Sequence, residues 1–275
     1  MWFGRPARLI QAGAEHRLFP LTLGLAALVL MLPSVGSGLF QDDLVHRVKL
    51  LKERVLPERY YGTPLLSADA GTPAGVMRDM FGVARSREDV LRLKELGLLP
   101  WWTSESLRAS NWRPVTALTH WLDYRLFPDS PALMHVHNLV WFGAVVVLVA
   151  VFYRRMMGAV WVAGLAAFFY AIDESNYFPV RWLANRNLLM ALFFSLLALL
   201  CHDHWRRGGR KDCAVAAPVL LLLALLSTEA GIATFAYLLA YALVIDRGRK
   251  AERVLSLVPS AVVIVGWRLV YNALG

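Results

Sequence analysis

Two adjacent carboxylates, Asp42 and Asp43, follow directly on an uncharged stretch running from Leu18 to Gln41. A carboxylate so placed can serve as general base toward a weak hydroxyl acceptor. Side-by-side acids repel, so either one pKa rises or a divalent cation, Mg or Mn, sits between them. The structural alternative is helix capping, in which Asp43 accepts a backbone N–H at the start of the next helix. Arg181 and Arg186 stand before a later apolar run, where a guanidinium can bind a phosphate bidentately or snorkel to the interface. His135 and Asn138 lie three apart and share a helix face. A metal pair completed by Asp42 or Asp43 competes there with hydrogen bonding between helices, the default. Asp173, Glu174 and Glu229 are further acids at the ends of apolar runs. His202 and His204 bracket Asp203 among arginines and read as a solvated loop.

Membrane helices must position these groups. The chain has 275 residues, is 57% hydrophobic, holds 10 Trp and has a mean hydropathy of +0.48, more apolar than a soluble domain of this size requires. Uncharged runs recur at Leu18–Gln41, Pro131–Tyr153, Met156–Ile172, Asn187–Cys201, Cys213–Thr228, Ala230–Ile245 and Val254–Trp267. Cys213–Ile245 is too long for one crossing and is broken at Ser227-Thr228-Glu229, which reads as a hairpin. The expectation is an all-α integral membrane protein of about seven transmembrane helices and a single membrane domain. A first span at 18–40 precedes a long extracytoplasmic loop at 41–130 with amphipathic helices, and the remaining spans fill 131–275.

Charge orients this arrangement. Of 29 Lys and Arg against 20 Asp and Glu, 13 basic residues fall in Met1–Arg17, Arg154-Arg155, Arg206–Lys211 and Arg247–Arg253 with five acids around them. The short loops of the opposite face carry only Arg181 and Arg186 against Asp173, Glu174 and Glu229. The positive-inside rule puts the basic segments and the N-terminus in the cytoplasm, and both acidic pairs and Glu229 outside. Nucleic acid is excluded as a partner, because the basic residues are split among four membrane-flanking segments instead of forming one stripe. The first apolar run exceeds an ordinary signal-peptide core and reads as an anchor. Cys201 and Cys213 fall on the cytoplasmic side, where thiols stay reduced, so no disulfide is expected.

Within the outer segment, Leu44, Val48, Leu51 and Val55 recur at helical spacing, predicting an amphipathic helix on the outer surface or against the protein itself. Pro57–Ala84 reads as loop. Ser86-Arg87-Glu88-Asp89 is a capping box opening a helix over Val90–Leu96, which Gly97 closes. Trp101, Trp102, Trp112 and Trp121 suit a bilayer interface. Asn111–Phe127 is a further helix with Pro114 in its first turn and Val115, Leu118, Leu122 and Leu126 along one face.

The ordered set of an acidic pair after the first span, Arg113-Pro114-Val115-Thr116 with Leu122-Asp123-Tyr124-Arg125-Leu126-Phe127, His135 with Asn138, Trp182 with Asn185-Arg186-Asn187-Leu188-Leu189, and Leu225-Leu226-Ser227-Thr228-Glu229 resembles the GT-C membrane glycosyltransferases. The nearest branch is similar to protein O-mannosyltransferases and their relatives with tetratricopeptide repeats. The likeness runs from about Gly38 to Ile245. It implies a polyprenyl-phosphate sugar donor, a protein or glycan acceptor, and inverting transfer outside the cytoplasm. It also implies an acid at Asp42 or Asp43, an arginine at Arg186 and a glutamate at Glu229. Thr228 replaces the family's lysine, Asp173-Glu174 stands where the family has His-Pro, and Phe178 replaces a glutamate. Relatives continue with more helices, so a C-terminal part beyond Gly275 and a membrane partner subunit are expected, with a bacterial inner membrane as the location. The rival class is a non-catalytic membrane protein, such as a lipid flippase, transporter subunit or scaffold. Ionisable groups near the midplane would favour the rival, and here the acids lie at the span ends.

Overall fold

The computed structural model describes residues 11–51 and 71–274. Among these residues it is an all-α membrane protein with one two-stranded sheet. Four helical stretches among the described residues are long and apolar enough to cross a bilayer, Phe19–Gly36, Pro131–Met156, Leu183–Gly208 and Lys250–Leu274. This corrects the expected seven. Val160–Ile172 has 13 residues, which at 1.5 Å per residue reach only about 20 Å across a hydrocarbon layer of about 30 Å. Lys211–Ser227 has 17 residues with Pro218 inside. The run from Glu229 is broken into a 3-10 turn, an α-helix and a π-turn.

In chain order the helices are α1 (Phe19–Met31), α2 (Asp42–Leu51), α3 (Pro73–Asp79), α4 (Arg87–Glu95), α5 (Pro114–Leu126), α6 (Pro131–Met156), α7 (Val160–Ile172), α8 (Tyr177–Arg181), α9 (Arg186–Gly208), α10 (Lys211–Ser227), α11 (Ala233–Ala240), α12 (Lys250–Leu255) and α13 (Val258–Leu274). Strands β1 (Phe81–Ala84) and β2 (Ala109–Asn111) pair antiparallel. The stretch read as loop before Ala84 therefore holds α3 and β1, with Thr72 capping α3 at Gly75 N–H. The expected capping box is present, since Ser86 accepts from Asp89 N–H and the Asp89 carboxylate accepts from Ser86 N–H. Gly97 ends that turn at φ +73°. Pro114 opens α5.

Helix α6 is the axis. Leu139, Phe142 and Val146 pack with Leu23 and Ala27 of α1 and Ala167 of α7. Helix α9 packs most extensively on α10, and Ala198, Leu221, Leu225 and Trp267 join α9, α10 and α13. The expected hairpin is packed at its turn, where Glu229–Ile232 lies against α10 and Gly231 touches the Ala224 backbone. Its arms are α10 and α11, and α9 takes contacts from both.

Close approach of α1 and α6 depends on Gly24, where an added Cβ would lie 2.6 Å from Val147 Cγ2 and 3.1 Å from the Gly143 carbonyl. Gly24→Val is expected to lower stability by about 1–3 kcal/mol through overpacking, read as a lower unfolding temperature in detergent. An unchanged temperature would show that the helices can part at no cost.

The helix ends sort into two polar groups. Arg154 donates to the Ala14 and His16 carbonyls, Arg155 pairs with Asp203, and Arg206 pairs with Asp246. These contacts gather the basic segments at one end. Asn138 and Arg186 meet at the other, and the 17 residues between Arg186 and Asp203 on α9 set the two ends about 25 Å apart.

Candidate functional site

The candidate site is built on α2 and α5, and both helices are turned opposite to a water-facing amphipathic helix. On α5 the predicted apolar face looks outward, with Leu118, Leu122 and Leu126 exposed. The buried face is Thr116, Ala117, His120, Asp123 and Tyr124. Helix α2 likewise exposes Leu44 and Val45 and buries Asp43, His46 and Lys49 beside Leu50. Val55, expected on the same apolar edge, lies outside the described residues. Apolar-out, polar-in packing suits a helix whose outer neighbour is the membrane interface.

A tight turn positions the acidic pair. Gly38 and Gln41 have φ +69° and +46°; the left-handed backbone at Gln41, which bears a Cβ, stores about 1–2 kcal/mol of strain. The turn carries Asp43 inward and leaves Asp42 exposed. Asp43 Oδ2 accepts from Phe40 N–H at 3.0 Å, and Oδ1 accepts from Ala184 N–H at 2.8 Å. Burial pushes its carboxyl up to about 6, against these amides, which hold it down. Asp43 therefore ties the end of the first span to the start of α9. The capping alternative holds for Asp43, with the second bond crossing 141 positions of chain. Each Asp43 oxygen thus accepts one N–H from the protein, while Asp42 beside it is exposed.

Arg186 does not snorkel. It is fully buried, with Nη1 2.5 Å from Asp123 Oδ2. Its Nε donates to Asn138 Oδ1 at 2.6 Å, and Nη2 donates to the Met134 carbonyl at 3.2 Å. Asp123 also bonds His137 Nδ1 at 2.6 Å, while Trp141 Nε1–H donates to His137 Nε2 at 3.1 Å. Because Nε2 accepts, the proton sits on Nδ1 and points at Asp123. Asn138 Nδ2 donates to the Pro179 and Val180 carbonyls, and His135 Nε2 bonds the Gly38 carbonyl at 2.8 Å. His135 and Asn138 thus share the expected face and follow the hydrogen-bonding reading.

The other residues fall at the margins. Arg181 is half-buried over the Phe40 and Tyr177 rings, each about 5.5 Å away, with no ion pair among the described residues. Asp173 caps its own turn by accepting from Ser175 N–H, and Glu174 beside it is exposed. Neither touches the buried network. Glu229 accepts two bonds from Arg113 at 2.8 and 3.0 Å and one from Tyr271 at 2.8 Å, which locks the start of α5 to α13.

Sequence reasoning missed Asp123, His137, His46, His120, Lys49 and Arg113. Their signal was the polar stripe Arg113, Thr116, His120 and Asp123 opposite the leucines of α5. Lys49 donates to the Asp79, Met80 and Gly82 carbonyls, anchoring α2 to the end of α3. Burial lowers its amine to about 8. His46 and His120 face each other at 5.7 Å between ring centroids, and His46 Nδ1 and His120 Nε2 have no hydrogen-bond partner. Burial lowers His46 to about 3 and His120 well below its ordinary value. Among the described residues, no group of three or more His, Cys, Asp or Glu is placed to hold a metal ion.

At the basic end, His202 and Asp203 are buried, which corrects the solvated-loop reading. Asp203 pairs with Arg155 of α6 and with Arg207 one turn further along α9, and it accepts from the Tyr241 hydroxyl, so its charge is neutralised in the interior. Cys201 and Cys213 are free thiols. No protein-family model matches the chain, and comparisons with curated proteins and with solved structures return no match.

Proposed function

We propose that this chain is a membrane glycosyltransferase moving a sugar from a polyprenyl-phosphate carrier to a protein or glycan acceptor. The reaction would take place at the end opposite its basic loops, with the N-terminus cytoplasmic and the site outside. The fold would then be a GT-C-like arrangement in which the shorter apolar helices complete the bundle. One observation carries the reading. An exposed carboxylate, Asp42, and a guanidinium without an ion pair among the described residues, Arg181, flank one turn at the end of the first span. In this reading Asp42 takes the acceptor proton and Arg181 meets the leaving phosphate. Asp43 and Arg186 are positioning residues, since protein groups already occupy their polar atoms.

A second reading has an observation of its own. Both oxygens of Asp43 and nearly all donors of Arg186 are spent within the fold, as in a scaffold or lipid-handling subunit without transfer chemistry. Membranes expressing the chain, supplied with a radiolabelled polyprenyl-phosphate sugar, separate the two. The glycosyltransferase reading expects transfer that drops by about 10²–10⁴-fold in Asp42→Asn and falls in Arg181→Gln at unchanged protein level. Full transfer in Asp42→Asn would remove the base from the scheme. Flipping of labelled lipid without transfer would favour the second reading.

A further inference from the structure

The basic end holds a cavity that takes no part in the proposed transfer, about 640 Å³ in volume, lined by Arg206, Arg207, Arg247, Tyr241, Asp246 and Glu252. Its charges are unbalanced. Arg206 pairs with Asp246, Arg249 pairs with Glu252, and Arg155 and Arg207 share the single carboxylate of Asp203. Arg253 donates to the Ala242 and Leu243 carbonyls where the helix ends. Arg247 is exposed and makes no hydrogen bond or ion pair with any described residue. Of the residues that line the cavity, three arginines, Arg206, Arg207 and Arg247, face two carboxylates, Asp246 and Glu252, leaving one positive charge in excess, with Arg247 the guanidinium that no described carboxylate meets. A fixed surplus of this kind draws a phosphate.

The cavity leads into apolar grooves. Its walls Tyr241, Val244 and Ile245 also line a groove of about 320 Å³ with Phe152, Leu199 and Ala240. Phe152, Leu199 and Tyr237 continue into a second groove of about 440 Å³ beside Leu192 and Leu196. The π-turn Tyr241–Ile245 forms the corner between polar and apolar parts, an irregularity often found at binding sites. From Arg206 to Leu196 along α9 is about 15 Å, the depth of one leaflet. A small soluble anion has no use for the apolar continuation, and a neutral lipid has no use for the arginines.

We infer that Arg206, Arg207 and Arg247 with the grooves along α6, α9 and α11 form a site for an anionic glycerophospholipid of the leaflet at the basic end. The phosphate sits in the arginine cavity, and one acyl chain lies against Phe152, Leu199 and Tyr237. The test titrates the purified full chain, in zwitterionic detergent, with dioleoyl phosphatidylglycerol, dioleoyl phosphatidylcholine, a polyprenyl phosphate and glycerol 3-phosphate. Binding is followed by native mass spectrometry and unfolding temperature. Phosphatidylglycerol is expected to bind and raise the unfolding temperature, and phosphatidylcholine and glycerol 3-phosphate are not. Arg247→Ala should weaken phosphatidylglycerol by about fivefold. Ala240→Trp, which fills the groove from an exposed position, should weaken it too, and both variants should unfold like the parent without lipid. Equal binding of the two phospholipids, or parental affinity in both variants, overturns the site. Displacement by glycerol 3-phosphate makes it a soluble-anion site, and tighter binding of polyprenyl phosphate makes it a carrier site; either overturns the assignment to glycerophospholipid. Sugar transfer is not read in any arm, so the transferase proposal can fail without touching this one.

Discussion

Asp123→Ala is expected to destabilise the protein by about 3–5 kcal/mol, because it strips the ion-pair partner from a fully buried guanidinium. Arg186 would keep Asn138 and the Met134 carbonyl, but neither neutralises a charge in low dielectric. The loss should be far larger than for an exposed pair such as Arg92–Glu95, where about 0–1 kcal/mol is typical. The control is the double replacement Asp123→Leu with Arg186→Met, which removes both charges and should recover most of the loss. Unfolding of the purified protein followed by tryptophan fluorescence reads all three. A single variant as stable as the parent would mean that water reaches Arg186. A double variant no better than Asp123→Ala would mean that the surrounding hydrogen bonds, not the charge, carry the effect.

The second large effect is acid lability. His46 and His120 are buried neutral with folded pKa values below the ordinary 6.5. Below pH 6.5 the unfolded chain binds protons that the folded chain refuses, so stability falls as pH falls toward their folded values. Between pH 6 and pH 5 each histidine costs about 1.4 kcal/mol. Asp43 works in the opposite sense. Its folded pKa of about 6 lies above the ordinary 3.8, so it gains stability as pH falls through 6 and returns up to about 1.4 kcal/mol over the same unit. These three groups leave a net loss of about 1.4 kcal/mol per pH unit. Lys49 and Arg113 deepen the His46 effect by repelling its charged form. Urea unfolding at pH 5, 6 and 7 measures the slope. His46→Leu should flatten it by about 1.4 kcal/mol per unit, and Asp43→Asn should steepen it. An identical slope in His46→Leu would show that the ring is hydrated.

Much of the local structure was legible in the sequence because its causes are local. Ser86 and Asp89 cap α4 across three residues, Pro114 starts α5, and the two longest uncharged runs, Leu18–Gln41 and Pro131–Tyr153, became spans because their length matches a bilayer. Basic residues collect at one end of the bundle, where Arg154, Arg155 and Arg206 meet their partners. Met156–Ile172, Cys213–Thr228 and Ala230–Ile245 were over-read, since apolar character alone does not reveal a helix that starts only at Val160, holds Pro218 or breaks at a π-turn.

The site itself was decided by tertiary structure. Periodicity showed that Leu118, Leu122 and Leu126 share a face of α5, but not which way that face looks. In water an apolar face turns to the core; beside a bilayer it can turn outward at little cost, and the polar face must then find protein partners. That inversion buried Asp123 and His120, and it closed Arg186 on a carboxylate 63 positions away. The same geometry explains Asp43, whose two amide donors come from its own turn and from Ala184. The types of these residues announced polar chemistry at a membrane end. Only the packing of α2, α5, α6 and α9 decided which of them stay open to a ligand and which are held by the fold.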